Sequence, residues 1–397
     1  GICEINNILK SEDVLHTLNA FKSMGVNIKE NGNKIIIQGK GLNSLKKADG
    51  EIYLGNSGTS ARLLTGLLSS QKFKSILTGD KSLSSRPMQR IADPLSKMNA
   101  KIYTTKGSLP LTIEGNNLKA VNFDLVIPSA QIKSAIMLSA LNTNGQVKIK
   151  EFKSTRDHTE NMLKAMGYNI KVKESSKYRY IEMKNDRDLK PIKLNVPGDP
   201  SSAAFFITAA CLKPGSKLLV KNMLFNKTRI GFIKTLKKMG GNIEILDKKK
   251  VNNEILADLK INQKTHLKST ILKPEEVPLQ VDEIPILSIA ASYAKGTSVF
   301  KGLKELTVKE SNRLELIHRN LKNMGVKSEI KEFDIYIHGN TDLKKGGAKI
   351  IHHHDHRIVM SFYVANLICE KTNKIDDKSS IKTSYPSFFK HIAHHAH

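Results

Sequence analysis

Hydrophobic and polar positions alternate between two kinds of segment along the chain. In the first kind, Leu, Ile and Met recur at i, i+3, i+4 and i+7. The run ends in Met-Gly or a close variant, and a short β pattern follows. This predicts an amphipathic helix stopped by glycine and then a strand. Copies lie at Ser11–Ile28, Arg86–Ile102, Thr155–Ile170, Asn226–Ile243 and Lys309 to Val326, with a shorter Ser-Tyr-Pro-Ser-Phe-Phe-Lys-His-Ile near the C-terminus. The second kind is a helix pattern rich in Ala and Ser, again followed by a strand. It occurs at Gly55–Ser70, Pro128–Ile149, Pro197–Val220, Asp282–Phe300 and Asp355–Ile368. Ser57, Ser129 and Ser201 in three of these copies are 72 residues apart. Small side chains let helices approach closely, so this set is expected inside and the Met-Gly set outside.

The count is six outer segments to five inner ones. The repeat alone therefore predicts one more inner helix ahead of Gly1, with Gly-Ile-Cys-Glu-Ile-Asn-Asn-Ile as the strand after it. On this expectation the chain begins inside its first unit. Six βαβ-like units suit an α/β protein of two three-unit domains, 1–198 and 199–397, divided near the turn Pro197-Gly198-Asp199-Pro200. Ligands are then expected in a cleft between the domains.

Composition narrows the function. With 397 residues, 39% hydrophobic and 25% charged, the chain has the makeup of a globular protein. No apolar stretch is long enough to read as a membrane span, so no membrane partner is expected. Cys3, Cys211 and Cys369 lie far apart without ligand spacing, which fits a reducing compartment and a cytoplasmic protein. A formal charge of +27 calls for anions. The lysines are spread over most predicted helices and turns, there is no Trp, and aromatics make up 6% of the chain. That pattern favours small anionic ligands over nucleic acid, whose single strands are usually stacked on aromatics. A basic RNA-binding protein is the alternative from another class.

Candidate chemistry collects at helix starts, where free N–H groups and the helix dipole favour anions. Gly55-Asn56-Ser57-Gly58-Thr59-Ser60 opens one, without the Gly-Lys-Ser/Thr ending of a P-loop. Arg86-Pro87 opens another, with Arg86 at its mouth. Ser129-Ala130-Gln131, with Lys133, offers hydroxyl and amide groups suited to a polyhydroxylated ligand. Thr155-Arg156-Asp157-His158 adds an arginine, and a histidine that reads either as an acid or base or as a structural cap. The run His352-His353-His354-Asp355-His356-Arg357 lacks the i, i+4 spacing of a helical zinc pair, so Arg357 is read as an anion clamp. The histidines of the tail, His394 to His397, are assigned no role. Around Val281-Asp282-Glu283 and Lys309-Glu310-x-x-Arg313 two carboxylates stand near two cations. If the latter opens a helix, Lys309 and Arg313 share one face. Each motif alone also reads as an ordinary cap or a solvated ion pair. Together they predict one polyanionic site with Asp282 and Glu310 embedded in positive field.

At this point the chain closely resembles the 5-enolpyruvylshikimate-3-phosphate (EPSP) synthases. The matching stretches are GNSGTSARLL, GDKSLSSRPM, PSAQIKSA, TRDHTENM, VPGDPSSAAF, VDEIPIL, VKESNRL, DHRIVMSF and TSYPSF, in the family's order and over nearly the whole chain. The DEIP and KES wording is similar to the class II branch. The resemblance implies a two-domain inside-out α/β barrel and a monomer. It also implies transfer of the enolpyruvyl group of phosphoenolpyruvate to the 5-hydroxyl of shikimate 3-phosphate, without metal or organic cofactor. It places Ser129, Ala130, Gln131, Arg156, Asp282 and Lys309 on shikimate 3-phosphate. It places Gly58, Arg86, Gln131, Arg313 and Arg357 on phosphoenolpyruvate. Asp282 and Glu310 are the candidate base and acid. Some members insensitive to the herbicide glyphosate carry Ala where Gly58 stands, so sensitivity is expected. The family's opening Lys-Ser-x-Ser-x-Arg segment has no counterpart here, so an impaired family member is a further alternative. The sister enolpyruvyl transferase acting on UDP-N-acetylglucosamine is another, though no Cys here lies in the Gly-rich loop where it typically carries its acid.

Overall fold

The computed structural model describes residues 1–152, 155–184, 189–340 and 346–395. Its first compact unit, Gly1–Val196, contains α1 (Glu12–Ser23), α2 (Gly58–Leu68), α3 (Lys81–Ser84), α4 (Gln89–Lys97), α5 (Ala130–Ala140) and α6 (His158–Ala165). The second, Pro197–His397, contains α7 (Pro200–Leu212), α8 (Gly231–Lys238), α9 (Ile284–Ser292), α10 (Arg313–Asn323), α11 (His356–Ala365) and α12 (Phe388–His395).

The outer helices stop where the Met-Gly pattern predicts. After α1, α6, α8 and α10 the chain turns through Gly25, Gly167, Gly240 and Gly325 at φ between +81° and +93°. Only glycine enters that region without a Cβ penalty. After α4, Asn99 takes the same role at φ +71°, as the side chain most tolerant of it. The inner set is buried as expected, and all nine residues of α9 are shielded from solvent. Close packing is literal between α2 and α5. A Cβ on Gly66 would lie 2.1 Å from the Ala135 carbonyl oxygen, and Ser139 Oγ donates to the Gly66 carbonyl at 2.8 Å.

Each complete unit is richer than a βαβ element. A short strand, an inner helix and a second strand parallel to the first are followed by an outer helix and an antiparallel hairpin. Thus Ile52–Tyr53 pairs in parallel with Lys74–Thr78, which pairs antiparallel with Ser108–Glu114, and Lys101–Thr105 closes the edge. The same order builds the sheet of Asn122–Leu125, Val147–Glu151, Arg179–Met183 and Ile170–Glu174. It recurs with Ile271–Leu272, Gly296–Phe300, Asp334–Gly339 and Ser328–Lys331. Beside Ile2–Asn6, the parallel partner comes from far along the chain, at Lys193–Asn195. Lys217–Leu224, Glu254–Asn262 and Ile243–Val251 form a three-stranded sheet.

The expected inside-out barrel is not found. The described residues form five open sheets of three or four strands, and none closes. Closure around a packed interior takes about 8 strands. These short sheets instead cover one face each with inner helices. In the second unit a single apolar core gathers α7, α9 and α11. The first unit has two cores, one around α2 and one around α5.

Candidate active site

In the second unit, Val281–Glu283 forms a short 3-10 turn that runs into α9, whose start is fixed by Pro285 in its first turn. The turn presents Asp282 to two cations: Arg313 Nη1 lies 3.4 Å and Lys309 Nζ 3.7 Å from Asp282 Oδ1. Arg313 Nη2 donates to Glu310, and its Nε donates to Asp355 at 2.8 Å. Arg313 and Asp355 have no exposed side-chain surface, whereas Asp282, Glu310 and Lys309 each keep an exposed edge. Burial alone would lower the affinity of the Arg313 guanidinium for its proton. The charges of Asp355, Glu310 and Asp282 outweigh that and hold it above the usual arginine value.

Lys309 and Glu310 do not share a helix face with Arg313. The helix begins at Arg313 itself, because Asn312 caps it by accepting from the Glu315 N–H at 3.2 Å. Lys309 and Glu310 belong to the loop ahead, and the cluster forms through Asp282. Arg357 follows the cap of α11, where Asp355 accepts from its N–H at 2.9 Å. The Arg357 guanidinium reaches the Asp282 carbonyl at 3.4 Å. Between them His356 is 8% exposed; burial first, and then the charge of Arg357, push its imidazole down to about 4.

In the first unit Ser57 caps α2 and Ser129 caps α5, accepting from Ser60 N–H and Ile132 N–H. Gly58 opens α2 beneath two arginines: a Cβ there would lie 2.9 Å from Arg62 Nη1 and 3.1 Å from Arg86 Nη1. Arg86 does not sit at a helix mouth, since α4 starts at Gln89. It is buried and folds back, donating to Asn56 and, at 3.2 Å, to Ser82 Oγ. Asn56 is held by donating to Asp80 at 2.8 Å. Gln131 accepts from Arg62 at 2.7 Å and donates to Thr59 at 2.9 Å, so α2 and α5 are tied at their starts. Ala130 is the first residue of α5.

Lys133 departs from the sequence reading. It is fully buried and paired with Glu151 at 2.9 Å and Glu160 at 2.8 Å, so it is not a surface anion ligand. Arg179 lies 3.4 Å from Glu160 and 3.4 Å from Asp157. Glu151 also accepts from the N–H and hydroxyl of Thr155, next to half-buried Arg156. His158 begins α6 and Asp157 precedes it. In the histidine run, His352 Nδ1 accepts from the His354 N–H, and His354 pairs with Asp377 at 3.3 Å. Ala396 and His397 of the tail lie outside the described residues.

Sequence reasoning missed Arg62, Asp355, Glu283 and the Asp199–Arg229 pair, 2.9 Å apart. Arg62 and Lys133 carried a usable signal, as charged residues inside otherwise small and apolar helices. Such groups are kept in a core only when paired.

The fold is shared with the enolpyruvyl transferase NikO from Streptomyces tendae, at a TM-score of 0.75 over 100% of this chain and 89% of that one, with 14% identity. The EPSP synthase of Acinetobacter baumannii superposes with a TM-score of 0.86 at 40% identity, covering 100% of this chain and 90% of that one. The 3-phosphoshikimate 1-carboxyvinyltransferase of Ruthia magnifica is 44% identical over 389 residues, 98% of this chain and 88% of that protein. The corresponding protein of Persephonella marina is 42% identical over 394 residues, 99% and 90% of the two chains. The family model of EPSP synthase (3-phosphoshikimate 1-carboxyvinyltransferase) matches residues 1–392. The chain belongs to the EPSP synthase family. That membership displaces both the UDP-N-acetylglucosamine and the RNA-binding alternatives.

Proposed function

We propose a division of labour between two groups of residues for the reaction of this family. The chain is an enzyme that transfers the enolpyruvyl group of phosphoenolpyruvate to shikimate 3-phosphate in the shikimate pathway. In our reading Ser129, Ala130, Gln131, Arg156, Asp282 and Lys309 hold shikimate 3-phosphate. Gly58, Arg86, Gln131, Arg313 and Arg357 hold phosphoenolpyruvate. Asp282 takes the proton of the 5-hydroxyl as its oxygen bonds to C2 of phosphoenolpyruvate, and Glu310 delivers a proton to C3. The tetrahedral adduct then loses a C3 proton and expels phosphate, which restores the vinyl group. The cations offset charge gathering on the phosphates and the carboxylate.

One observation carries this reading: two carboxylates with exposed edges contact the same buried guanidinium, Arg313, from different segments. Shared anchoring lets two acids work on one substrate, and differing surroundings can separate their proton affinities. The DEIP and KES wording supports assignment to the class II branch. Three cysteines without disulfides fit a cytoplasmic enzyme, and we read it as a monomer. The test is phosphate release from phosphoenolpyruvate. Release that requires shikimate 3-phosphate is expected; release that ignores it would overturn the substrate assignment.

A further inference from the structure

Glu283 directly follows Asp282, is 2% exposed, and has no part in the proton transfers laid out above. Its carboxylate accepts the hydroxyl hydrogen of Ser201, a residue of α7 that is also 2% exposed. Ser201 Oγ in turn accepts from Arg229 Nη2 at 2.8 Å, and the same nitrogen donates to Asp199 at 2.9 Å. Asp199 caps α7 through the Ser202 N–H at 2.8 Å. Glu283 is therefore moored to the start of one helix while its neighbour faces Lys309 and Arg313.

The mooring matters because the turn is only three residues long. Its backbone is fixed at both sides: the Glu283 N–H donates to Gln280 at 3.0 Å, and the Asp282 carbonyl accepts from Arg357 at 3.4 Å. In a turn so short, any backbone shift that lets the Glu283 side chain reach a new partner is carried directly into Asp282. A buried carboxylate that lost the Ser201 donor would shift toward its remaining partners or solvent. A backbone shift that accompanied either motion would re-aim Asp282, and misplacement by an ångström slows proton transfer steeply.

We infer that Glu283 is a positioning residue, which through Ser201 and the Arg229–Asp199 pair fixes the direction in which Asp282 meets the substrate hydroxyl. The inference rests on the reading of Asp282 as the base.

The test is steady-state kinetics in both substrates, with rates normalised to folded protein from thermal melts. It compares wild type with Ser201→Ala, Glu283→Gln, Arg229→Gln and Asp282→Ala. Ser201→Ala is expected to lower kcat roughly 10- to 100-fold with both KM values within about 2-fold. Arg229→Gln, which loosens Ser201, is expected to lower kcat about 10-fold by the same route. Glu283→Gln keeps an acceptor for Ser201 and is expected to hold kcat within about 5-fold. A lower Tm with unchanged kcat in both Ser201→Ala and Arg229→Gln, beside an inactive Asp282→Ala, would overturn the positioning role alone. Wild-type turnover in Asp282→Ala would overturn the assignment of the base on which it rests.

Discussion

In the second unit Arg313, Lys309 and Arg357 stand among Asp282, Glu310 and Asp355. In the first, Arg86 and Arg62 donate to Asn56, Ser82, Gln131 and the Pro87 carbonyl. The cations are alike, and these acceptors differ in kind: carboxylates in the second unit, amide, hydroxyl and carbonyl oxygens in the first. Carboxylate partners offset much of a guanidinium's charge and in return supply groups that can exchange protons. Amide, hydroxyl and carbonyl acceptors orient a guanidinium without themselves neutralising its charge. In our account the second cluster does the proton chemistry, and the first is chiefly a cradle for the phosphate and carboxylate of phosphoenolpyruvate.

The largest effect should follow from removing an acid of the second cluster. Glu310→Gln keeps the size and a hydrogen bond to Arg313 but cannot deliver a proton. Its kcat should fall roughly 10²- to 10⁴-fold, and stopped-flow phosphate release would read it. Arg313→Leu should, besides weakening phosphoenolpyruvate binding, act on folding. It removes the charged partner of buried Asp355, leaving it the Ser311 hydroxyl and the Arg357 N–H, and breaking such a buried network costs about 3–5 kcal/mol, measurable by urea titration. The smallest effect is on pH. His356 in the folded protein binds its proton only near pH 4, against an ordinary value of 6.5. The unfolded chain therefore takes up a proton that the folded one refuses between those values. Stability is full above about pH 6.5 and falls as pH drops toward 4, by up to about 3 kcal/mol. His356→Asn should flatten that part of the stability profile.

Much of this was legible in the chain. The periodicity of Leu, Ile and Met, with glycine after it, located the outer helices because a helix stop needs a residue tolerant of positive φ. The 72-residue spacing found two true caps, Ser57 and Ser129. At the third copy the cap slips to Asp199, since Pro200 is set to open the helix, and Ser201 is released to hold Glu283. The Lys309–Arg313 spacing fits a helix, but Asn312 competes as a cap and shortens it. Buried pairs such as Lys133 with Glu160 or Arg62 with Gln131 join distant elements, and no local pattern encodes them. The barrel implied by the family resemblance is not what the sheets form: closure depends on which edges pair, and strand alternation is silent on that.

The most direct measurement sets Asp282→Ala beside Arg86→Gln in the same two-substrate kinetic assay. The account predicts opposite signatures. Asp282→Ala should lose kcat roughly 10²- to 10⁴-fold with KM for phosphoenolpyruvate little changed. Arg86→Gln should raise that KM about 10- to 100-fold, the loss expected for one charge-assisted hydrogen bond, while keeping most of kcat. The same pattern in both variants, or the two patterns exchanged, would contradict the division between a proton-transfer cluster and an anion cradle.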